Sequence, residues 1–171
     1  LQDWIAGGGF DLELSGQTKL TTWRNHAFEL FRGQGFRKHD NGVVFHTEWM
    51  RWLTADALYI WGGTINYYPA PGLAPFGANS AHGELGVTLR PTPRVRFSQA
   101  YIYSRLAILG DSDSPAIPAS TSIFNNHILR TKFNYQFTRP LSLRVILDYN
   151  AVLPNPGLIA VLVRAQWKET R

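Results

Sequence analysis

The chain has 171 residues, a formal charge of +5 and no cysteine, long enough for one domain with a sizeable core. Its seventeen Lys and Arg are scattered against twelve Asp and Glu instead of gathering on one face, which argues against nucleic acid as a partner. Without cysteine there is no disulfide framework and no thiolate metal site.

The longest nearly unbroken apolar stretch, Leu158-Ile159-Ala160-Val161-Leu162-Val163, is ended by Arg164, far short of the roughly 18 residues a membrane helix needs. A membrane β-barrel stays open, because its spans alternate apolar and polar residues and each gives a weak signal. Ten Phe, seven Tyr and six Trp suit membrane interfaces, where amphipathic rings settle. They suit an aromatic-rich β-protein equally. The chain begins at Leu1 with no signal peptide in view, so the reading is a mature form or an internal piece of a longer chain.

Taken in order, the first predicted strand is 10–22, with Phe10, Leu12, Leu14 and Leu20 alternating with Asp11, Glu13, Ser15, Gln17 and Lys19. Less regular strands are expected at 27–36, 43–49 and 53–63. A hairpin follows: Leu85, Val87 and Leu89 lead into Pro91-Thr92-Pro93, and Val95, Phe97, Tyr101 and Tyr103 continue the apolar face that Gln99 interrupts. Prolines fit the turn because no ladder donor is needed there. The clearest pattern covers 126–150. Leu129, Thr131, Phe133, Tyr135 and Phe137, then Leu141, Leu143, Val145, Leu147 and Tyr149, recur with period two. A three-residue loop at 138–140 pairs Tyr135 with Leu143 and Phe133 with Val145, and sets Arg130 opposite Asp148, a favourable charge pair. A last strand is expected at 158–167. Links are then short near 23–26, 50–52, 91–93 and 138–140 and long near 37–42, 64–81, 106–124 and 151–157. Such alternation is expected when short turns and long loops face opposite sides of a membrane. The segments at 94–106 and 126–137 also reach the nine to eleven or so residues of a tilted span.

Phe124-Asn125-Asn126-His127-Ile128-Leu129-Arg130-Thr131-Lys132-Phe133-Asn134-Tyr135-Gln136-Phe137-Thr138-Arg139, with Leu141-Ser142-Leu143-Arg144 and Asp148-Tyr149-Asn150, resembles the C-terminal barrel region of the domain-of-unknown-function 5916 family. Leu89-Arg90-Pro91-Thr92-Pro93-Arg94 and Tyr101-Ile102-Tyr103-Ser104-Arg105-Leu106 resemble the preceding hairpin. The likeness lies within 49–158. It implies a long exported protein with a carbohydrate-binding-like β-sandwich ahead of the barrel. This chain has no room for that sandwich and stops where the family continues, so a fragment is expected. The family supplies no catalytic residues to carry over.

No two of His26, His39, His46, His82 and His127 have the i,i+4 spacing of a helical zinc site. His46 and Glu48 share a strand face, but read as a hydrated pair. Glu84, Arg90, Arg94, Arg96, Arg130, Lys132, Arg144 and Asp148 fall on the polar face and are expected to line a lumen. There they neutralise one another or meet an anionic or sugar-like solute. Catalytic use of Asp148 or Glu84 would need a partner acid at a defined separation. Gly7-Gly8-Gly9, Gly33-Gln34-Gly35 and Gly62-Gly63 lack the Gly-Lys-Ser or Gly-Lys-Thr of a phosphate loop. Asp111-Ser112-Asp113-Ser114 lacks the glycine and distal glutamate of an EF-hand.

The expectation is therefore an all-β, antiparallel up-and-down meander: a partial outer-membrane-type β-barrel of about nine strands over 1–171, belonging to a longer chain. It implies a cell outer membrane location, membrane lipid as partner, carbohydrate or a small solute as ligand, and a channel, transport or surface-anchoring role. No cofactor, metal or catalytic role is expected. The alternative is a soluble β-rich domain whose aromatics bind carbohydrate or lipid; a weaker one is an enzyme whose catalytic part lies elsewhere.

Overall fold

The computed structural model describes residues 3–110 and 117–160. They form eight strands: β1 (Trp4–Leu14), β2 (Thr18–Phe31), β3 (Gln34–Met50), β4 (Leu53–Asn66), β5 (Phe76–Thr92), β6 (Val95–Ile108), β7 (Ser122–Gln136) and β8 (Ser142–Pro154). All pair antiparallel with their sequence neighbours in one sheet of order β1 to β8. At about 3.3 Å per residue, the 17-residue strands β3 and β5 extend some 55 Å.

The sheet is open. β1 pairs only with β2 and β8 only with β7, which overturns the expected outer-membrane barrel. With it go the transmembrane strands, the channel, transport or anchoring role, the membrane-lipid partner and the outer-membrane location, which had been inferred from alternation, strand length and the rhythm of the links. The physical reason is plain: alternation gives a strand two unlike faces, but closure needs the first strand bonded to the last, and no periodicity encodes that. Strand length does not decide either, since these long strands build an open sheet. No helix among the described residues is long and apolar enough to cross a membrane.

The first three strands break elsewhere than predicted. Ser15-Gly16-Gln17 turns within the predicted 10–22 strand, and Arg32-Gly33 turns within 27–36. Gly16, Gln17, Arg32 and Gly33 all have φ between 50° and 81°. Two successive left-handed residues make the primed turn that matches strand twist, and Gly33 supplies one at no steric cost. The Arg in front of it is a poor signal for that turn. The links expected at 23–26 and 37–42 lie inside β2 and β3, so the short–long rhythm fails in this half. Later it holds: 67–75, 109–110 and 117–121 lie at one end, the turns at 93–94 and 137–141 at the other. Tyr135 faces Leu143, Phe133 faces Val145 and Arg130 faces Asp148. The start of the strand expected at 158–167 is a turn, and 161–171 lie outside the described residues.

Cross-strand register sorts the side chains into two faces. One carries Phe10, Leu20, Val43, Phe45, Tyr59, Trp61, Leu85, Tyr101, Leu129, Phe133, Val145 and Leu147, in continuous rows. The other is mostly polar. The core is small and sits at one corner. Phe76, Ala78, Leu106, Ile108, Ile123 and Leu158 are buried there, with Leu73, Ile117, Phe124 and Ile159 packed against them. The loops fold back over this corner. Asn66, itself 2% exposed, donates from Nδ2 to the Leu158 carbonyl at 2.9 Å, and Ala160 N–H donates to Tyr68 at 3.0 Å.

Candidate functional site

The polar face holds a row of cross-strand partners running Gly9, Trp23, Gly42, Ile60, His82, Ser104 and Asn126. Trp23 lies flat on its neighbour: a Cβ at Gly42 would sit 2.0 Å from the indole Cζ2, so only glycine leaves the ring room. The ring is also tied at its edge. Trp23 Nε1–H donates to Asp40 Oδ2 at 2.9 Å, and Asn25 Nδ2–H donates to the same oxygen at 3.0 Å. A tryptophan pinned by one hydrogen bond and a glycine floor is a preorganised aromatic shelf.

The next rows down carry the polar groups. His46 Nδ1 meets Asp56 Oδ1 at 2.6 Å. His82 Nε2 meets Glu84 Oε1 at 2.9 Å, and His82 Nδ1 meets Ser104 Oγ at 2.8 Å. Between these pairs the sheet dips, because Gly86 and Ala100 occupy positions where larger side chains would stand. The resulting depression, about 240 Å³, is lined by Val44, His46, Asp56, Leu58, Glu84 and Ile102 among others. A second dip of about 150 Å³, around Thr88, Ser98, Arg130 and Lys132, shares Asp56, Gly86 and Ala100 with it.

The eight residues predicted to line a lumen do not converge. Glu84 stands in the larger depression and Arg130 and Lys132 in the smaller. Asp148 holds Arg130 in a two-point pair, Nε–Oδ1 2.6 Å and Nη2–Oδ2 3.3 Å, and its hydrogen bond raises the guanidinium pKa further. Arg90 and Arg96 belong to a separate open depression of about 390 Å³ beside Arg51, near the short turns. Arg94 is not on a strand face but in the Pro93-Arg94 turn, and Arg144 lies opposite Asn134 on β8. His46 pairs with Asp56 while Glu48 accepts from Thr54, and no cluster of three or more ligating groups is assembled for a metal among the described residues. The Asp111–Ser114 segment lies outside the described residues.

Sequence reading missed Trp23, Gly42, His82 and Ser104 as site residues. Trp23 fell in a predicted link, and nothing in the spacing brings 82 beside 104; only the β5–β6 register does. Neither a family model, nor a curated protein, nor a solved structure matches this chain, so the likeness to the 5916 family stands on the residues quoted above alone.

Proposed function

We propose that this domain binds carbohydrate on the polar face of its sheet, without transforming it through a bound cofactor. The observation that carries this reading is the Trp23 shelf, pinned on Gly42 by Asp40. A sugar ring presents one apolar face, which suits stacking on an indole, and a rim of hydroxyls that need both donors and acceptors. Asn25, Asp40 and His82 stand around the shelf, and His46, Asp56 and Glu84 around the depression beside it, and they supply both kinds. The site is an open, shallow stretch of sheet surface, as a chain of sugars requires, whereas a small rigid cofactor is normally enclosed.

Isothermal titration against neutral hexasaccharides, one α-glucan, one β-glucan and one mannan, tests the reading. Saturable binding of at least one is expected. Trp23→Ala weakens it about tenfold, the equivalent of about 1.4 kcal/mol, while Trp61→Ala on the opposite face leaves it unchanged. Binding that survives Trp23→Ala, or no binding of any of the three, overturns it.

A further inference from the structure

Ser104, His82 and Glu84 form a continuous hydrogen-bonded relay. His82 and Ser104 are cross-strand partners on β5 and β6, with Ser104 Oγ 2.8 Å from His82 Nδ1. Glu84 lies two residues beyond His82 on the same face, its Oε1 2.9 Å from His82 Nε2. We propose that Ser104 is a nucleophile for ester cleavage, with His82 as its general base and Glu84 as the group that positions the imidazole. The inference does not rest on sugar binding.

The geometry selects the tautomer. A carboxylate only accepts, so Glu84 fixes the proton on Nε2 and leaves Nδ1 as the lone-pair acceptor facing the Ser104 hydroxyl. Nucleophile, base and orienting acid within hydrogen-bond reach is the arrangement that activates a serine. Two neighbours complete a site. On the far side of Ser104, its β7 partner Asn126 has its Oδ1 buried with no hydrogen bond, and no bond from Nδ2 occurs among the described residues. Its carboxamide N–H is the donor this row offers to a developing oxyanion. One row away, Val44, Leu58 and Ile102 line the depression of about 240 Å³ that also borders Glu84. That volume takes a short acyl group with its chain against Val44, Leu58 and Ile102.

The chemistry balances within these residues and water. Ser104 Oγ bonds to the ester carbonyl carbon while its proton passes to His82 Nδ1 and the carbonyl π pair moves onto oxygen. Collapse breaks the bond to the alcohol oxygen, which leaves with the proton from His82, and acyl-Ser104 remains. Water then attacks with His82 again as base, releasing the carboxylic acid and restoring the serine.

Two measurements on the full chain test this: covalent labelling by an alkyl fluorophosphonate, mapped by peptide mass, and hydrolysis of p-nitrophenyl acetate and butyrate. A single adduct at Ser104 is expected, absent in Ser104→Ala and formed about 100-fold more slowly in His82→Ala. Glu84→Gln slows labelling less, with an unchanged melting temperature. Ser98→Ala, which removes a hydroxyl on the same face bonded to Thr88, labels like the parent. The proposal falls if no adduct forms at Ser104, if His82→Ala labels at the parental rate, or if Ser104→Ala hydrolyses both esters as fast as the parent. Labelling is read with no sugar present and sugar titration with no ester present, so this proposal and the carbohydrate reading fail separately.

Discussion

The loop-covered corner and the outer margins of the sheet obey different physics. At the corner, Phe76, Ile108 and Ile123 are essentially inaccessible, and three loops close over the ends of β4 to β7. At the margins, every β1 residue is exposed, and Leu147 and Tyr149 on β8 keep more than 60% of their surface in the open. Both regions have the same alternating sequence and the same ladder of hydrogen bonds. The difference is what lies over the apolar side chains, so tertiary stability is concentrated where loops return and is thin where only neighbouring strands support one another. The site occupies the middle of the sheet, between these regimes, where the register is continuous from β2 to β7.

The largest test of that contrast is Phe76→Ala against Leu147→Ala. The first removes a ring that is 1% exposed and is expected to cost about 3–5 kcal/mol through lost burial and a cavity. The second trims a side chain already 65% exposed and should fall within about 0.5 kcal/mol. Denaturant midpoints of both variants measure it; comparable losses would erase the distinction. Next in size is Asn66→Ala. It leaves the buried Leu158 carbonyl with the Ala70 N–H as its remaining donor, a loss of about 1 kcal/mol. Hydrogen exchange should show it as opening of 66–75 and 155–160 with the β1–β2 ladder unaffected.

How much of this was legible depends on whether the cause is local. The 126–150 hairpin was, down to Arg130 facing Asp148, because period-two alternation and a short turn fix register together. The turns at 15–17 and 32–33 were not, since Gln17 and Arg32 adopt positive φ without the asparagine or aspartate that signals it. The membrane barrel was misread because a lipid-facing stripe and an uncovered apolar sheet face have the same alternation. The site was legible one residue at a time. Glu84 lies on the polar face two residues beyond His82, yet Ser104 and the glycine under Trp23 join their partners only through pairings 22 and 19 residues apart in sequence. The absence of any catalytic motif was a statement about spacing, and register makes its own neighbours.

The smallest expected effect is a pH dependence at the covered end. Glu29 on β2, Lys38 on β3 and Tyr67 in the 67–75 loop form one cluster: Lys38 Nζ bonds Glu29 Oε2, Tyr67 OH donates to the same oxygen at 2.8 Å, and Lys38 Nζ lies 3.3 Å from Tyr67 OH. The hydrogen bond from Lys38 holds the Glu29 carboxyl below its usual 4.5, with Tyr67 helping and burial opposing. For Lys38, burial pulls the pKa down, but the bonds to Glu29 and Tyr67 outweigh it and the net direction is up. Tyr67 is raised above 10.0, by burial first and then by its bond to Glu29. A lowered carboxyl stabilises the fold above its unfolded value and loses that contribution as pH falls through the folded value. A raised lysine or tyrosine contributes fully below its unfolded value and loses it as pH rises through the folded one. The cluster therefore contributes between about pH 4.5 and pH 10 and fades on both sides, by about 1 kcal/mol at most for a partly covered pair. Other carboxylates titrate in the same acid range, so the informative quantity is the melting temperature of the parent minus that of Glu29→Gln. That difference should be positive on the plateau, shrink below pH 4.5 as Glu29 protonates, and shrink again above pH 10 as Lys38 and Tyr67 lose their protons. A difference that stays flat from acid to base would mean the cluster does not tie the 67–75 loop to β2 and β3, and the covered end would owe its stability to the apolar corner alone.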